Sequence, residues 1–308
     1  MQALPQIPQG RIVQTCMETP FDPRRLIARS FAPRRQVFAE SDAMVYALGL
    51  GFGLDPADAG QVDFVYEGVG GGALKIVPTF ANVLGYPGFW AKDRDTGIDW
   101  RQLVHAEQEV VLHRSLPARG DVTGHNRVTA IWDRGAGKGA YMQQVREICD
   151  STSGSLLATV TQLSLMRGNG CAEGSSDGAP PSRHSLPSRA PDLVCDLRSS
   201  PQAALIYRLS GDRNPLHADF NVARAAGFER PILHGMATMG IAAHAVLRSV
   251  LRYEPARFRR MRVRFSAAAL PGDSFRTELW KDGDIVSLRT TALERGVVVL
   301  DNGLVQLD

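Results

Sequence analysis

Between Met261 and Leu307, apolar and polar residues alternate in four stretches: Met261 to Ala269, Ser274 to Trp280, Ile285 to Leu293 and Val297 to Leu307. This is the period of half-buried strands. A Pro271-Gly272-Asp273 turn separates the first two. Ahead of them the period changes. Leu233, Met236, Ala237, Gly240, Ile241, His244 and Leu247 fall at steps of three and four, which predicts one face of a long buried helix. The small residues Gly235, Gly240, Ala242 and Ala243 suit close packing of that helix on a sheet, and His244 on its inner stripe reads as a packing residue.

The same order of pieces occurs earlier in the chain. Pro78 to Gly85 parallels Pro231 to Thr238, Val104 to His113 alternates like a strand, and Leu116-Pro117-Ala118-Arg119-Gly120-Asp121 answers Leu270-Pro271-Gly272-Asp273. Further strand-like stretches end in Leu156 to Leu163. Between the two copies, residues 168–191 are dominated by Gly, Ser and Pro and lose apolar periodicity. The pattern predicts an internal duplication: a unit at 1–167, a linker at 168–191 and a unit at 192–308. Each unit would be a long central helix wrapped by a curved antiparallel sheet, so the expected fold class is an α+β double hotdog.

Composition narrows the function. The 308 residues are 44% hydrophobic and 22% charged, an ordinary globular balance, and 35 basic against 32 acidic residues leave a formal charge of only +3. A dense nucleic-acid face is not expected. Cys16, Cys149, Cys171 and Cys195 are far apart and form no C-x-x-C pair for zinc or thiol exchange. No apolar run reaches the roughly 18 residues of a membrane span. The opening MQALPQIPQGRI lacks the pattern of a signal or transit peptide, and the closing Val305 to Asp308 is not an S-K-L address, so a cytoplasmic protein is expected. Gly68-Val69-Gly70-Gly71-Gly72-Ala73 satisfies G-x-G-x-x-A, but the extended Leu74 to Pro78 follows where a helix is required. Gly135 to Gly139 lacks the Ser or Thr of a phosphate-binding loop. Neither a cofactor nor a metal is expected.

The candidate chemistry is concentrated in Tyr207 to Asp219. Gly211 and Pro215 interrupt any continuous helix there, so a folded loop can aim the Asp212 carboxylate, the Asn214 amide and the His217 imidazole into one space. An acid and a histidine around one water molecule are equipment for proton transfer. Asp219 is a candidate N-cap for a short helix to Ala226, with Gly227 as its stop. His234-Gly235 then opens the long helix, whose first amides are unpaired and can hold a developing oxyanion. Read alone, the fragment could equally be a capped turn beside a surface histidine.

The stretch GDRNPLHADFNVARAAGFERPILHG resembles the signature of the hydratase 2 family, the (R)-specific 2-enoyl-CoA hydratases of the MaoC-like dehydratase superfamily. YALGLG at 46–51, Leu103 to Asp121 and MRVRFSAAALPGD extend the resemblance over nearly the whole chain from about residue 40, to the two-half hydratase domain of peroxisomal multifunctional enzyme type 2. The resemblance implies reversible hydration of trans-2-enoyl-CoA to (3R)-3-hydroxyacyl-CoA, with Asp212 and His217 as catalytic pair, Asn214 as orienting amide and Gly235 as the backbone donor to the thioester oxygen. It also implies contacts to the acyl-CoA by His105, Ala106, Arg134 and Phe265, and by Arg213, Pro215 and Leu216 in the loop. Ala106 stands where the family has Gly, and Arg134 where it has Lys; as isolated residues, His105 and Phe265 read as strand and core. The first half has Ala81 and Asn82 opposite His234 and Gly235 and no D-x-N-P-x-H segment, so it is expected to lack chemistry and to make room for medium- to long-chain or bulky acyl groups. Gly49, Gly51 and Gly53 fit a broken helix where such a chain could lie. Arg260, Arg262 and Arg264 share one strand face, where coenzyme A phosphates or plain solvent are equally natural partners. A homodimer is expected by analogy. The alternatives are a hotdog thioesterase and a noncatalytic acyl-thioester binding subunit.

Overall fold

The computed structural model describes residues 19–68, 74–170 and 173–308. Cys16, Cys171, the opening residues and most of the Gly68–Ala73 stretch lie outside them. The first unit contains α1 (Pro23–Ile27), β1 (Arg34–Phe38), α2 (Glu40–Gly49), α3 (Ala59–Val62), β2 (Leu103–Leu112), β3 (Gly120–Asp133), β4 (Ala140–Asp150) and β5 (Leu156–Met166). The second contains β6 (Leu193–Arg198), α4 (Ala203–Tyr207), α5 (Phe220–Ala225), α6 (Gly235–Ser249), β7 (Phe258–Phe265), β8 (Ser274–Asp282), β9 (Ile285–Ala292) and β10 (Val297–Leu307).

The ten strands of the described residues form one antiparallel sheet in the order β1-β3-β4-β5-β2-β7-β10-β9-β8-β6. The order reads the same from either edge. Each unit contributes an edge strand, a three-strand meander and one central strand, and the units join where β2 pairs with β7 from Glu107 opposite Arg264 to Val111 opposite Arg260. This is the double hotdog arrangement, and the duplication is visible in its topology.

Helix α6 is the centre of the second unit. Every side chain from Met236 to Leu247 is buried, among them Ile241, Val246 and Leu247. Each large apolar side chain taken from water here contributes about 1.5–3 kcal/mol. Its counterpart in the first unit departs from the expected long helix: Pro78–Val83 forms only a 3-10 segment of 6 residues. Gly85 at φ 59° and Pro87 follow at once, and neither continues a helix. The first unit fills the vacated space differently. Phe80 packs edge-on against Tyr46 and Phe38, and one apolar core runs through both units.

Gly49 ends α2 and the chain turns through Gly51 and Gly53, both at positive φ. The cleft expected there for an acyl chain is occupied by the protein itself: Phe52 stacks on His244 at 3.7 Å between ring centroids and packs on Phe64. His244 is thus the packing residue its place on the stripe predicts.

Residues 173–191 have no helix or strand, yet they are fastened to the sheet. The Ile131 N–H donates to Ser176 Oγ (3.0 Å), Trp132 Nε1 donates to the Asp177 carbonyl (3.2 Å), His184 Nε2 meets Ser287 Oγ (2.7 Å), and Trp280 Nε1 donates to the Arg189 carbonyl (2.8 Å). The segment is a strap across strands of both units rather than a loose tether. Two arginines of the row are also spoken for. Arg262 pairs with Glu107 (2.5 Å), Arg260 with Glu109 (2.5 Å), and Arg259 with Asp308. Arg260 and Arg262 neutralise carboxylates across the β2–β7 seam, which removes both as a ready phosphate site. Among the described residues, no helix is long and apolar enough to cross a membrane.

Candidate active site

The loop after α4 is shaped by two residues. Gly211 takes φ 118°, a backbone conformation that L side chains rarely adopt, and reverses the chain just before Asp212. Pro215 begins a 3-10 turn, Pro215–His217, whose N-cap is Asn214: its Oδ1 accepts from the Leu216 N–H at 3.1 Å. The Asn214 N–H in turn donates to Asp212 Oδ1 at 3.3 Å. Asp219 then caps α5 by accepting from the Asn221 and Val222 N–H groups, and Gly227 ends it at φ 87°, as the sequence predicts.

The loop delivers His217 to the N-terminus of α6, where His234 is the N-cap residue. One ligand atom each of Asp212, His217 and His234 lies within 4.8 Å of the other two. The two imidazoles stack, with centroids 3.7 Å apart and planes inclined by 27°. His217 Nδ1 hydrogen-bonds the Ile232 carbonyl at 2.9 Å, and His234 Nε2 the Asp212 carbonyl at 3.1 Å. A carbonyl only accepts, so each of those nitrogens carries the proton when its ring is neutral. That leaves His217 Nε2 and His234 Nδ1 as the basic atoms. Three such groups could hold a divalent cation, but the two stacked rings keep their in-plane lone pairs in separate, nearly parallel planes, which hinders convergence on one ion.

Burial lowers the pKa of both imidazoles. For His217 the Asp212 charge opposes that effect, and for His234 the neighbouring His217 adds to it, taking His234 to about 3. His244 falls to about 4 by burial. Both lie below the ordinary value of 6.5, so the folded protein holds them neutral while the unfolded chain protonates. Their contribution to stability is complete above about pH 6.5 and is lost as pH falls, toward about 4 for His244 and about 3 for His234. Two protons correspond to a slope of up to about 3 kcal/mol per pH unit. Urea unfolding at pH 7, 5.5 and 4.5 should show that loss; a pH-independent midpoint over this range contradicts it.

At the mouth of α6, the N–H groups of Gly235, Met236 and Ala237 precede the first intrahelical bond, which the Thr238 N–H makes to the His234 carbonyl at 3.0 Å. A Cβ on Gly235 would come within 3.1 Å of the Phe265 ring, so glycine lets this backbone and the aromatic edge meet. Phe265 also packs edge-on against His105 at 4.7 Å, and His105 Nε2 meets Gln108 Oε1 at 2.8 Å. Ala106 sits in a β-bulge between His105 and Glu107. Arg134 is at the tip of the β3–β4 hairpin, bonded to the Lys138 carbonyl, at the sheet end shared with Leu103 and Met166. Arg213 and Pro215 are exposed on the loop, and Leu216 is half-buried.

The structure therefore brings Asp212, Asn214, His217 and Gly235 together, with Phe265 and His105 alongside, while Arg134 contacts only its own hairpin. It adds residues to which the sequence reading gave no role. His234 is one; its position at the start of α6 was the available signal. Tyr207, packed 4.9 Å from the His234 ring, and Tyr86, whose phenol is raised to about 12 by burial and by the Asp212 charge, are others.

Fold and site together define a double hotdog protein in which a carboxylate and two imidazoles gather at the N-terminus of α6, the longest helix among the described residues. Comparison with known proteins names the class. The MFE-2 hydratase 2 N-terminal domain family matches residues 37–168 and the MaoC like domain family residues 183–302. Peroxisomal enoyl-CoA hydratase 2 from Arabidopsis thaliana is 33% identical over 301 residues, 92% of this chain and 94% of that one. The 3-hydroxyacyl-thioester dehydratase Y of Mycobacterium tuberculosis is 34% identical, over 87% of this chain and 92% of its own. The crystal structure of a MaoC-like dehydratase from Phytophthora capsici superposes with a TM-score of 0.81 at 29% identity, covering 92% of this chain and 98% of that one. The chain belongs to the MaoC-like, hydratase 2 family.

Proposed function

We propose that the protein is an (R)-specific enoyl-CoA hydratase, adding water reversibly to trans-2-enoyl-CoA thioesters. The observation that carries the reading is the meeting of the Asp212 carboxylate and the His217 imidazole within 4.8 Å, beside unpaired amides of α6. The thioester oxygen accepts from the Gly235 N–H, so negative charge can develop there as an enolate. Water held between Asp212 and His217 Nε2 gives its oxygen to C3 and a proton to one of the pair. C2 then takes a proton from the pair, and the sum is H and OH added across the double bond. Asn214 holds the Asp212 carboxylate through its backbone N–H, and His234 braces the His217 ring. The first unit, 1–167, serves the acyl group and the second, 192–308, the chemistry. His105, Phe265 and Leu216 border the thioester, and Ala106, Arg134, Arg213 and Pro215 serve its coenzyme A side.

Incubation with crotonyl-CoA and longer trans-2-enoyl-CoAs tests this. Loss of enoyl absorbance without release of free thiol is the expected result; thiol release makes it a thioesterase, and binding without either marks a noncatalytic subunit. The proposal extends by analogy to a homodimer in the cytoplasm, tested by sedimentation and cell fractionation.

A further inference from the structure

Six rings stand in unbroken contact from the edge of the sheet to the reacting centre. Phe38 of β1 packs on Phe80 with 5.6 Å between centroids, Phe80 on Tyr46 of α2 at 5.3 Å, and Tyr46 on Tyr207 of α4 at 5.5 Å. Tyr207 then packs on His234 at 4.9 Å, and His234 stacks on His217 at 3.7 Å. The edge-on and tilted pairs lie at the separations where ring quadrupoles attract. None of the six side chains is more than 8% exposed. Three belong to the first unit and three to the second.

Tyr46 is where the row passes from one unit to the other, and it is firmly anchored. Its hydroxyl donates to the Thr79 carbonyl at 2.8 Å and lies 3.0 Å from Thr79 Oγ1. Glycines bring the units close at this point. A Cβ on Gly49 would lie 3.4 Å from the Tyr207 Cα and N, and one on Gly240 of α6 would lie 2.5 Å from Leu50 Cδ2. The end of α2 is thus pressed against both α4 and α6, which leaves Tyr207 little room to retreat. The Tyr207 hydroxyl is buried without a hydrogen-bond partner, so the ring rather than the oxygen is what it offers its neighbours.

His217 needs such a wall. Its Nδ1 hydrogen bond to the Ile232 carbonyl fixes one point of the imidazole, and the torsion that turns the ring about its Cβ–Cγ bond is broad. The stack on His234 fixes the plane of the ring, and with it the direction of Nε2. His234 is itself held by its hydrogen bond to the Asp212 carbonyl and by the Tyr207 ring. A shift of about 1 Å at a reacting group can cost about 10²-fold in rate. We propose that Tyr46, acting through Tyr207 and His234, is a positioning residue for His217, so that the first unit sets the aim of an imidazole that does its work in the second. The role of His217 rests on the hydratase reading above.

Leucine and phenylalanine at positions 46 and 207 supply the test, read as kcat, KM and pH profile on a trans-2-enoyl-CoA. Tyr46→Leu and Tyr207→Leu should each lower kcat by about tenfold or more with KM within about threefold. They should also move the acid limb of kcat/KM upward toward pH 6.5, because a loosely held His217 loses the desolvation that lowers its pKa. Tyr46→Phe and Tyr207→Phe keep the rings and should restore most of the rate and the wild-type limb. Leucine variants that keep kcat within threefold and an unmoved limb overturn the assignment. So do phenylalanine variants as impaired as the leucine ones, which would give the role to the hydroxyls, and a rise in KM alone, which would put the tyrosines against the acyl group. Relaxation-dispersion NMR of the wild-type protein with isotope-labelled histidine stands even if the leucine variants fail to fold: the His217 ring should show no microsecond-to-millisecond exchange, and exchange between orientations rejects the positioning. If the wild type hydrates no enoyl thioester, the hydratase reading falls, while the same NMR measurement still decides whether the row of rings holds His217 in place.

Discussion

Asp212→Asn and His217→Gln are each expected to lower kcat for enoyl-CoA hydration by about 10²- to 10⁴-fold, with KM nearly unchanged. Both substitutions preserve shape. The amide at 212 can still accept from the Asn214 N–H, while the glutamine amide at 217 stands nearer the place of Nε2 than of the Nδ1 that donates to the Ile232 carbonyl, so that one bond is given up. What is lost is the ability to take and return a proton. If the two side chains act on one water, the double variant should be scarcely worse than either single one, because removing one member already disables the unit. Steady-state kinetics on the three variants decides this. Retention of kcat within threefold in either single variant rejects the pair.

The second large effect concerns the seam between units. Glu107 and Arg262 meet diagonally across β2 and β7, at 10% and 17% side-chain exposure, with two hydrogen bonds of 3.0 and 2.5 Å between them. Arg183 of the strap approaches the same carboxylate at 4.0 Å. Glu107→Ala strands the guanidinium in the seam and should destabilise the protein by about 3 kcal/mol. Removing both partners, Glu107→Ala with Arg262→Met, should cost less than Glu107→Ala alone, since no charge is then left unpaired. Urea unfolding of the single and double variants measures the difference. A cost under about 0.5 kcal/mol for Glu107→Ala would show that water reaches the seam and that the pair contributes little.

The second unit was legible because its patterns have physical causes that act locally. Strands β7 to β10 alternate since one face is wet, α6 repeats at three and four since one stripe meets the sheet, and Asp219 and Gly227 mark their helix by capping chemistry. The loop at Asp212 was legible for the same reason: Gly211 and Pro215 forbid the helix that would have scattered its side chains. Three things were hidden. The short helix of the first unit depends on Gly85, at the last position of the stretch aligned with α6, and on Pro87 just past it. The arginines of β7 looked free because their acids, Glu107 and Glu109, are about 150 residues away in sequence and meet them only through strand register. The rings that run from Phe38 to His217 come from both units, and no local pattern places them in line.

The sheet that reads alike from both edges bears on how one copy came to differ from the other. Two separate but identical subunits meeting across such a seam would be bound by symmetry: each residue change would appear twice. Joining the copies in a single polypeptide lifts that constraint. One half can then keep the loop that carries Asp212 and His217 while its sibling, with Ala81 and Asn82 opposite His234 and Gly235, is free to differ.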